Sequence, residues 1–171
     1  MFDRIFDFIE AAWEWFIPWV IIDAYEQGVI LQLGKFRRVV NPGLRFMLPF
    51  GIDVCKYETV VRQTSYIDPQ SLTSFDGKSV TVSAIVIFKI TNIRKFLLDI
   101  DDGETDMTNI IYGIISDQVE VTPWEDIRGD EFNSEVFKWA RQDSEDYCGV
   151  EILAIKWSDK ATARNIRLWN D

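Results

Sequence analysis

The side chains best able to do chemistry in this sequence are carboxylates, crowded between Asp99 and Asp146. Asp99, Asp101, Asp102, Glu104 and Asp106 come first, followed by Glu125, Asp126, Asp130 and Glu131. Closely spaced carboxylates can hold calcium, and IDIDDGETD superficially matches an EF-hand loop. The ligand spacing fails, because no Glu stands at the closing position. These acids are read instead as a solvated, helix-capping loop, where negative charge meets the positive end of a helix dipole. No metal or cofactor is expected.

Catalysis meets the same obstacle. The 171 residues include no histidine. That removes the commonest general base, the usual zinc ligand and every Ser-His or Cys-His nucleophile system. Carboxylate pairs and Ser-Lys combinations occur, as in any acidic chain, but none stands in a motif context. Cys55 and Cys148 form no CxxC pattern and sit in apolar surroundings, so two buried free thiols are expected rather than a disulfide. No catalytic residue is assigned, and the chain is not expected to be an enzyme. The formal charge of -10 repels phosphates and excludes wholesale nucleic-acid binding.

Positive charge collects elsewhere, at Lys35, Arg37, Arg38 and Arg45. That stretch suits lipid headgroups or the acidic half of a neighbouring copy in a head-to-tail ring.

The elements that position these groups begin with an apolar leader, MFDRIFDFIEAAWEWFIPWVIID. Asp3, Asp7, Glu10 and Glu14 fall on one narrow helical stripe. Around it lie Phe2, Ile5, Phe6, Phe8, Ile9, Trp13, Trp15, Phe16, Ile17 and Trp19, and the run ends in Val20, Ile21 and Ile22. A spanning helix would put carboxylates in hydrocarbon at roughly 2.5–3.5 kcal/mol each, against about 0.3–0.6 kcal/mol returned per large apolar residue. Spanning loses. The run is also short and Pro18 would bend it, while the basic n-region and cleavage site of a signal peptide are absent. The segment is expected to lie in the membrane plane as an amphipathic anchor. A helix packed on the protein's own core or at a subunit contact is the competing use.

Strands follow. Ala24–Leu33, Phe36–Val40 and Leu44–Leu48 are expected strands, separated by Gly34 and by the turn Asn41-Pro42-Gly43. The tip after them contains Phe46, Met47, Leu48 and Phe50. It has two open uses, tucked inward or dipped into lipid. Val54–Val61 and Gln63–Ile67 come next, the latter expected to end at Asp68-Pro69. Asp76-Gly77 is a hairpin-type turn, and Val80 to Ile90 alternates as a long strand. The second half reads as a short helix over Ile93–Leu98 and a helix from Thr105 or Asp106 to Pro123. A third helix is capped by Asp130, with Phe132, Val136, Phe137, Trp139, Ala140 and Tyr147 mostly on one face. Gly149 closes it, and Val150–Trp157 is a strand. Ser158 or Asp159 starts a last helix, Lys160–Trp169. Strands first and helices after imply an α+β fold.

In order, YEQGVILQLGKF, NPGLRFMLP and DPQSLTSFDGKSVTVSAIVIFKITN resemble the SPFH (band 7) domain of stomatins, prohibitins, flotillins and the HflK/HflC pair. The positions that carry the resemblance are Gly34-Lys35, Pro42-Gly43 through Pro49, Pro69-Gln70 with Thr73 and Asp76, and Val80-Thr81-Val82. Gly77-Lys78 departs from the pattern by lengthening the hairpin. The resemblance spans about Ala24 to Ile166. It implies an SPFH-like organisation: a membrane-associating segment (1–23), a β-rich subdomain (24–90), an α/β subdomain (91–158) and a short C-terminal helix (159–171).

The resemblance also implies a membrane-associated homo-oligomeric scaffold, monotopic or shallowly inserted on the cytoplasmic face. Such proteins form rings or cages, organise membrane patches and modulate partner membrane proteases or channels. The long coiled coil that follows this helix in many relatives is not expected here, nor is an extended cage of the HflK/HflC kind. An adaptor or inhibitor that caps or joins the assembly of a longer homologue is the alternative.

Overall fold

The computed structural model describes residues 19–162. The expected in-plane positions Phe2, Ile5, Phe6, Phe8, Ile9, Trp13, Trp15, Phe16 and Ile17 lie outside the described residues, as does the expected last helix beyond residue 162. The chain forms two compact units, one holding the residues up to Val61 together with Ile93–Asp101, the other holding Arg62–Asn92 and the residues from Asp102 on.

In the first unit the strands are β1 (Trp19–Ile22), β2 (Glu26–Gln32), β3 (Lys35–Val40), β4 (Gly43–Phe46) and β5 (Asp53–Thr59). β1 and β4 pair as an antiparallel two-stranded ribbon, and β2 is the middle strand of a sheet ordered β3-β2-β5. Ile22, Ile30 and Val40 form a small buried cluster, with Val20, Met47 and Cys55 packed against it. Gly28 permits the close strand approach at its centre, since a Cβ there would stand 2.6 Å from the Lys56 carbonyl oxygen. A π-helical turn, Lys95–Asp99, also belongs to this unit and buries Phe96. Beside it Arg94 lies over the Phe36 ring, 4.7 Å from its centroid.

Two expectations are corrected here. Trp19–Ile22 is a strand and not the end of a helix. Pro18 lacks the amide that would continue a helix, Val20, Ile21 and Ile22 are β-formers, and β4 supplies the ladder. β4 itself stops at Phe46 and not at Leu48, because the Leu48 amide turns away to donate to the Asp53 carboxylate at 3.0 Å.

The second unit contains β6 (Gln63–Thr73), β7 (Ser79–Ile90) and β8 (Val150–Thr162), an antiparallel sheet in that order. The segment 24–90, expected as one β-rich piece, divides at Val61 because β6 and β7 pair with β8's sheet. Helices α1 (Gly103–Val121), α2 (Trp124–Ile127) and α3 (Asp130–Asp143) complete the unit. α1 packs on β6 and α3, and α3 packs on β8. Met107, Ile111, Ile115 and Val119, each four residues apart, form the buried stripe of α1. Every second residue of β7 from Val80 to Ile90 is buried as well.

Local chemistry explains where this unit departs from the sequence reading. β6 does not end at Asp68-Pro69; the strand continues through a bulge between Ile67 and Gln70. The bulge turns the Asp68 amide outward to the Tyr112 hydroxyl at 2.6 Å and leaves Pro69 where no ladder donor is needed. Asp102, not Thr105 or Asp106, caps α1, accepting from the Thr105 amide at 3.1 Å and its hydroxyl at 2.8 Å. Asp130 is the first residue of α3 and Gly129 is its cap.

At the far end of α3 a π-helical turn, Ser144–Cys148, shifts the register. It buries Ser144 and Cys148 and leaves Tyr147 exposed, as Trp139 is on the helix before it. Gly149 adopts the left-handed conformation (φ 68°) that ends the run.

The expected helix from Ser158 is overturned over its described part: Ser158–Thr162 extends β8 along Val80–Ser83. The Lys160 ammonium fastens this extension, donating to the Ile127 carbonyl at 2.7 Å and to Asn133, between the rings of Phe132 and Trp157. Burial lowers its pKa to about 8.

Candidate functional site

Strand alternation makes the β1–β4 ribbon two-faced. Trp19 lies opposite Phe46 and Ile21 opposite Leu44, so these four side chains share one face. Val20 and Ile22 point the other way, onto the small core of the first unit. The first face is open to solvent: Trp19 is 53% exposed, Ile21 67%, Leu44 66% and Phe46 62%. Single exposed apolar residues are ordinary, but four in register on one ribbon form a patch of the kind that marks an interaction surface. Full burial of a large apolar side chain returns about 1.5–3 kcal/mol, so these four, a little over half exposed, hold roughly 4–7 kcal/mol in reserve.

The sequence-predicted positions therefore separate. Trp19, Ile21 and Phe46 are brought together on the open face, and Phe50 is exposed on the loop beyond it. Ile22 is 2% exposed and Val20 and Met47 pack on the core cluster, so these three hold the unit together. Leu48 is half-buried beside Asp53. Leu44 was missed. Leu44–Leu48 was expected as a strand, but reading Trp19–Ile22 as helix hid its pairing with that strand, although the β-formers Val20, Ile21 and Ile22 soon after Pro18 are a signal for a strand.

The loop that leaves the ribbon is held by a buried carboxylate. The Asp53 side chain is fully buried; one oxygen accepts from the Leu48 amide and from the Arg37 guanidinium, both at 3.0 Å. Arg37 reaches it because the β2–β3 pairing shifts register between Ile30 and Leu31, which makes Arg37 the extra residue. The other predicted cations are placed individually. Arg38 donates to the Phe46 carbonyl at 3.3 Å, and Arg45 donates to the Asn41 and Pro42 carbonyls, both at 2.9 Å. Lys35 stands exposed. Neither Cys55 nor Cys148 forms a disulfide; Cys55 is half-buried and Cys148 buried. Burial pushes the Cys55 thiol up.

The acids of the second unit are structural or solvated. Asp76, one of the motif positions, fixes the β6–β7 hairpin to the start of α2: it pairs with Lys78 at 2.8 Å and accepts from the Trp124 amide at 3.2 Å. Those contacts, Lys78 foremost and Ser74 next, hold its carboxyl far below the usual range. The same Lys78 closes the lengthened turn, its carbonyl accepting from the Ser74 amide at 2.9 Å. Glu125, Asp126, Asp130, Glu131 and Glu135 line an open groove of about 450 Å³. Among the described residues no group of three or more acids and cysteines is arranged to hold a metal. No helix among them is long and apolar enough to cross a membrane.

Comparison with known proteins places these features. The sequence model of the SPFH domain / Band 7 family matches residues 20–159. An uncharacterised protein of Methanocaldococcus jannaschii is 30% identical over 91 residues, 53% of this chain and 45% of the relative. Stomatin-4 of Caenorhabditis elegans is 28% identical over 86 residues, 48% of this chain and 30% of its own length. A band 7 protein of Drosophila melanogaster is 26% identical over 90 residues, 52% of this chain and 18% of the relative. The match spans less than half the length of each of these relatives.

Proposed function

We propose that this chain, which belongs to the SPFH domain / Band 7 family, attaches to a lipid bilayer through the open face of its β1–β4 ribbon and acts there as a homo-oligomeric scaffold. The observation that carries the reading is the in-register exposure of Trp19, Ile21, Leu44 and Phe46. The apolar residues 1–18 join the described chain at Trp19, at the edge of that face. Family membership supports a stomatin- or prohibitin-like role that organises membrane patches and modulates a membrane protease or channel, without catalysis.

The energetics favour assembly. A reserve of roughly 4–7 kcal/mol corresponds to a dissociation constant between about 1 mM and 10 μM. One copy is thus a weak anchor, and several copies held together become an avid one. Lys35 and the exposed edge of Arg37 are placed to meet headgroup phosphates or the acidic surface of a neighbouring copy.

Vesicle flotation of the full chain tests this. The Ile21→Ser/Leu44→Ser double variant is expected to lose at least about ten-fold in partition to phosphatidylcholine vesicles, with its fold intact by circular dichroism. Undiminished flotation of that variant overturns the assignment of the ribbon.

A further inference from the structure

The most exposed aromatic side chain among the described residues belongs to the second unit. Phe75, in the β6–β7 hairpin, is 72% exposed. The hairpin that carries it is tied down. The Ser74 amide donates to the Lys78 carbonyl at 2.9 Å and the Gly77 amide to the Ser74 carbonyl at 2.8 Å. Two further bonds fasten it to the junction of α1 and α2: the Phe75 amide donates to the Thr122 carbonyl at 3.2 Å, and Asp76 accepts from the Trp124 amide. A pinned backbone thus holds the Phe75 ring toward water. Val121, the residue before the Thr122 acceptor, is exposed as well.

Beside them lies an open groove of about 510 Å³, lined from the hairpin by Leu72, Phe75 and Gly77 and from α1 by Ser116 and Glu120. That volume is in the range of clefts that take a ligand or a few side chains. Its electrostatics ask for a cation. The last turn of α1 holds no basic residue, so Glu120 and the negative end of the helix dipole stand together without a counter-charge on the helix. From Thr122 the surface runs on into the acidic groove of Glu125, Asp126, Asp130, Glu131 and Glu135. Neither Glu120 nor any of these five makes an ion pair among the described residues.

We propose that this surface docks a segment of a partner protein in which a large apolar side chain stands close to Lys or Arg. The apolar side chain packs on Phe75 and Leu72, and the cations meet Glu120, the last carbonyls of α1 and the acidic groove. The basic stretch of a second copy fits less well, because its Arg37, Arg38 and Arg45 are held by Asp53 and by backbone carbonyls. The docking surface lies wholly in the second unit and stands whether or not the first unit meets lipid.

Fluorescence anisotropy of the full chain with an array of short labelled peptides tests this. Each peptide pairs a Leu, Phe or Trp with a few Lys or Arg, and controls replace the cations by Glu or the apolar residue by Ser. The intact pairing is expected to bind, and either replacement to weaken binding about ten-fold. Phe75→Ser should also cost about ten-fold, with Tm unchanged, whereas Phe75→Leu should keep most of the affinity. Glu120→Gln/Glu125→Gln should cost about three-fold and flatten the dependence on salt. Tyr66→Ser, at an exposed aromatic elsewhere in the unit, should change nothing, and Phe75→Ser should float with phosphatidylcholine vesicles as the wild-type chain does. The proposal is overturned if no peptide of the array binds, if the Glu-containing controls bind as well as the intact pairing, or if Phe75→Ser binds undiminished. Self-association that Phe75→Ser abolishes, with no peptide bound, would give the face to a second copy, and reduced flotation of Phe75→Ser would give it to lipid; either result contradicts the proposal.

Discussion

The two units solve the problem of apolar surface in different ways. In the first, twelve large apolar or aromatic side chains are exposed among 52 described residues; in the second, six among 92. Charge divides as well. The described part of the first unit carries seven basic and six acidic side chains, and that of the second carries eight basic and seventeen acidic. The second unit has helices against its sheet, α1 on β6 and α3 on β8, and every second residue of β7 from Val80 to Ile90 is buried. Among the described residues the first has a ribbon, one three-stranded sheet and the π-helical turn around a cluster of three residues, and twelve of its large apolar side chains stand exposed. Near-neutral charge and exposed apolar side chains in one unit, with strong negative charge and a closed core in the other, are consistent with the proposed attachment through the first unit.

The sharpest way to break this comparison is to attack the small core. Ile30→Ala in the first unit should cost about 2–5 kcal/mol. Hydrogen exchange should then show β2, β3 and β5 losing protection while β6, β7 and β8 keep theirs. Equal loss in both units would mean that they unfold as one body. A smaller effect is expected at Gly28. An alanine methyl would meet the Lys56 carbonyl oxygen at 2.6 Å, and that oxygen is backbone, so Gly28→Ala should destabilise the first unit by about 1–3 kcal/mol in denaturant unfolding. A neutral result would show that β2 and β5 can move apart.

Acid should act on the second unit in the mildest way. Asp76, Asp102 and Glu151 all have lowered pKa values, chiefly through Lys78, Thr105 and Lys89 respectively. A carboxyl whose folded pKa lies below its unfolded value near 4 stabilises fully above about pH 4–5 and loses that contribution as pH falls through the folded value. Melting of the second unit, followed by the near-ultraviolet signal of Trp124 and Trp157, should therefore shift to lower temperature between about pH 5 and pH 2. Asp76→Asn should reduce the shift, and an equal shift in that variant would remove Asp76 from the account.

What the sequence could reveal followed the range of the interactions that decide it. β2, β3, β5 and β7 were legible from alternation and turn residues, and Gly149 from the chemistry of a left-handed cap, because each is settled within a few residues. Trp19–Ile22 was not. Its strand identity depends on β4, more than twenty residues away, and its apolar run continues a helical pattern from the leader. The outward rotation of Tyr147 depends on a π-helical turn that no spacing rule anticipates. The extension of β8 past Trp157 depends on the Lys160 contacts to Ile127 and Asn133. Three of the four residues of the candidate face, Trp19, Ile21 and Phe46, were therefore visible as residue types. Leu44, and the division of Trp19–Ile22 into an outer and an inner face, needed the register.

We propose that the first unit meets the bilayer and the second does not. Spin labels at position 44 (Leu44→Cys) and position 121 (Val121→Cys), in a Cys55→Ala background, report it directly, since both sites are about two-thirds exposed and lie in different units. On adding phosphatidylcholine vesicles to the full chain, the label at 44 should gain accessibility to oxygen and lose it to a polar nickel chelate, while the label at 121 keeps its aqueous profile. A label at 44 that stays as aqueous as the one at 121 would contradict the account.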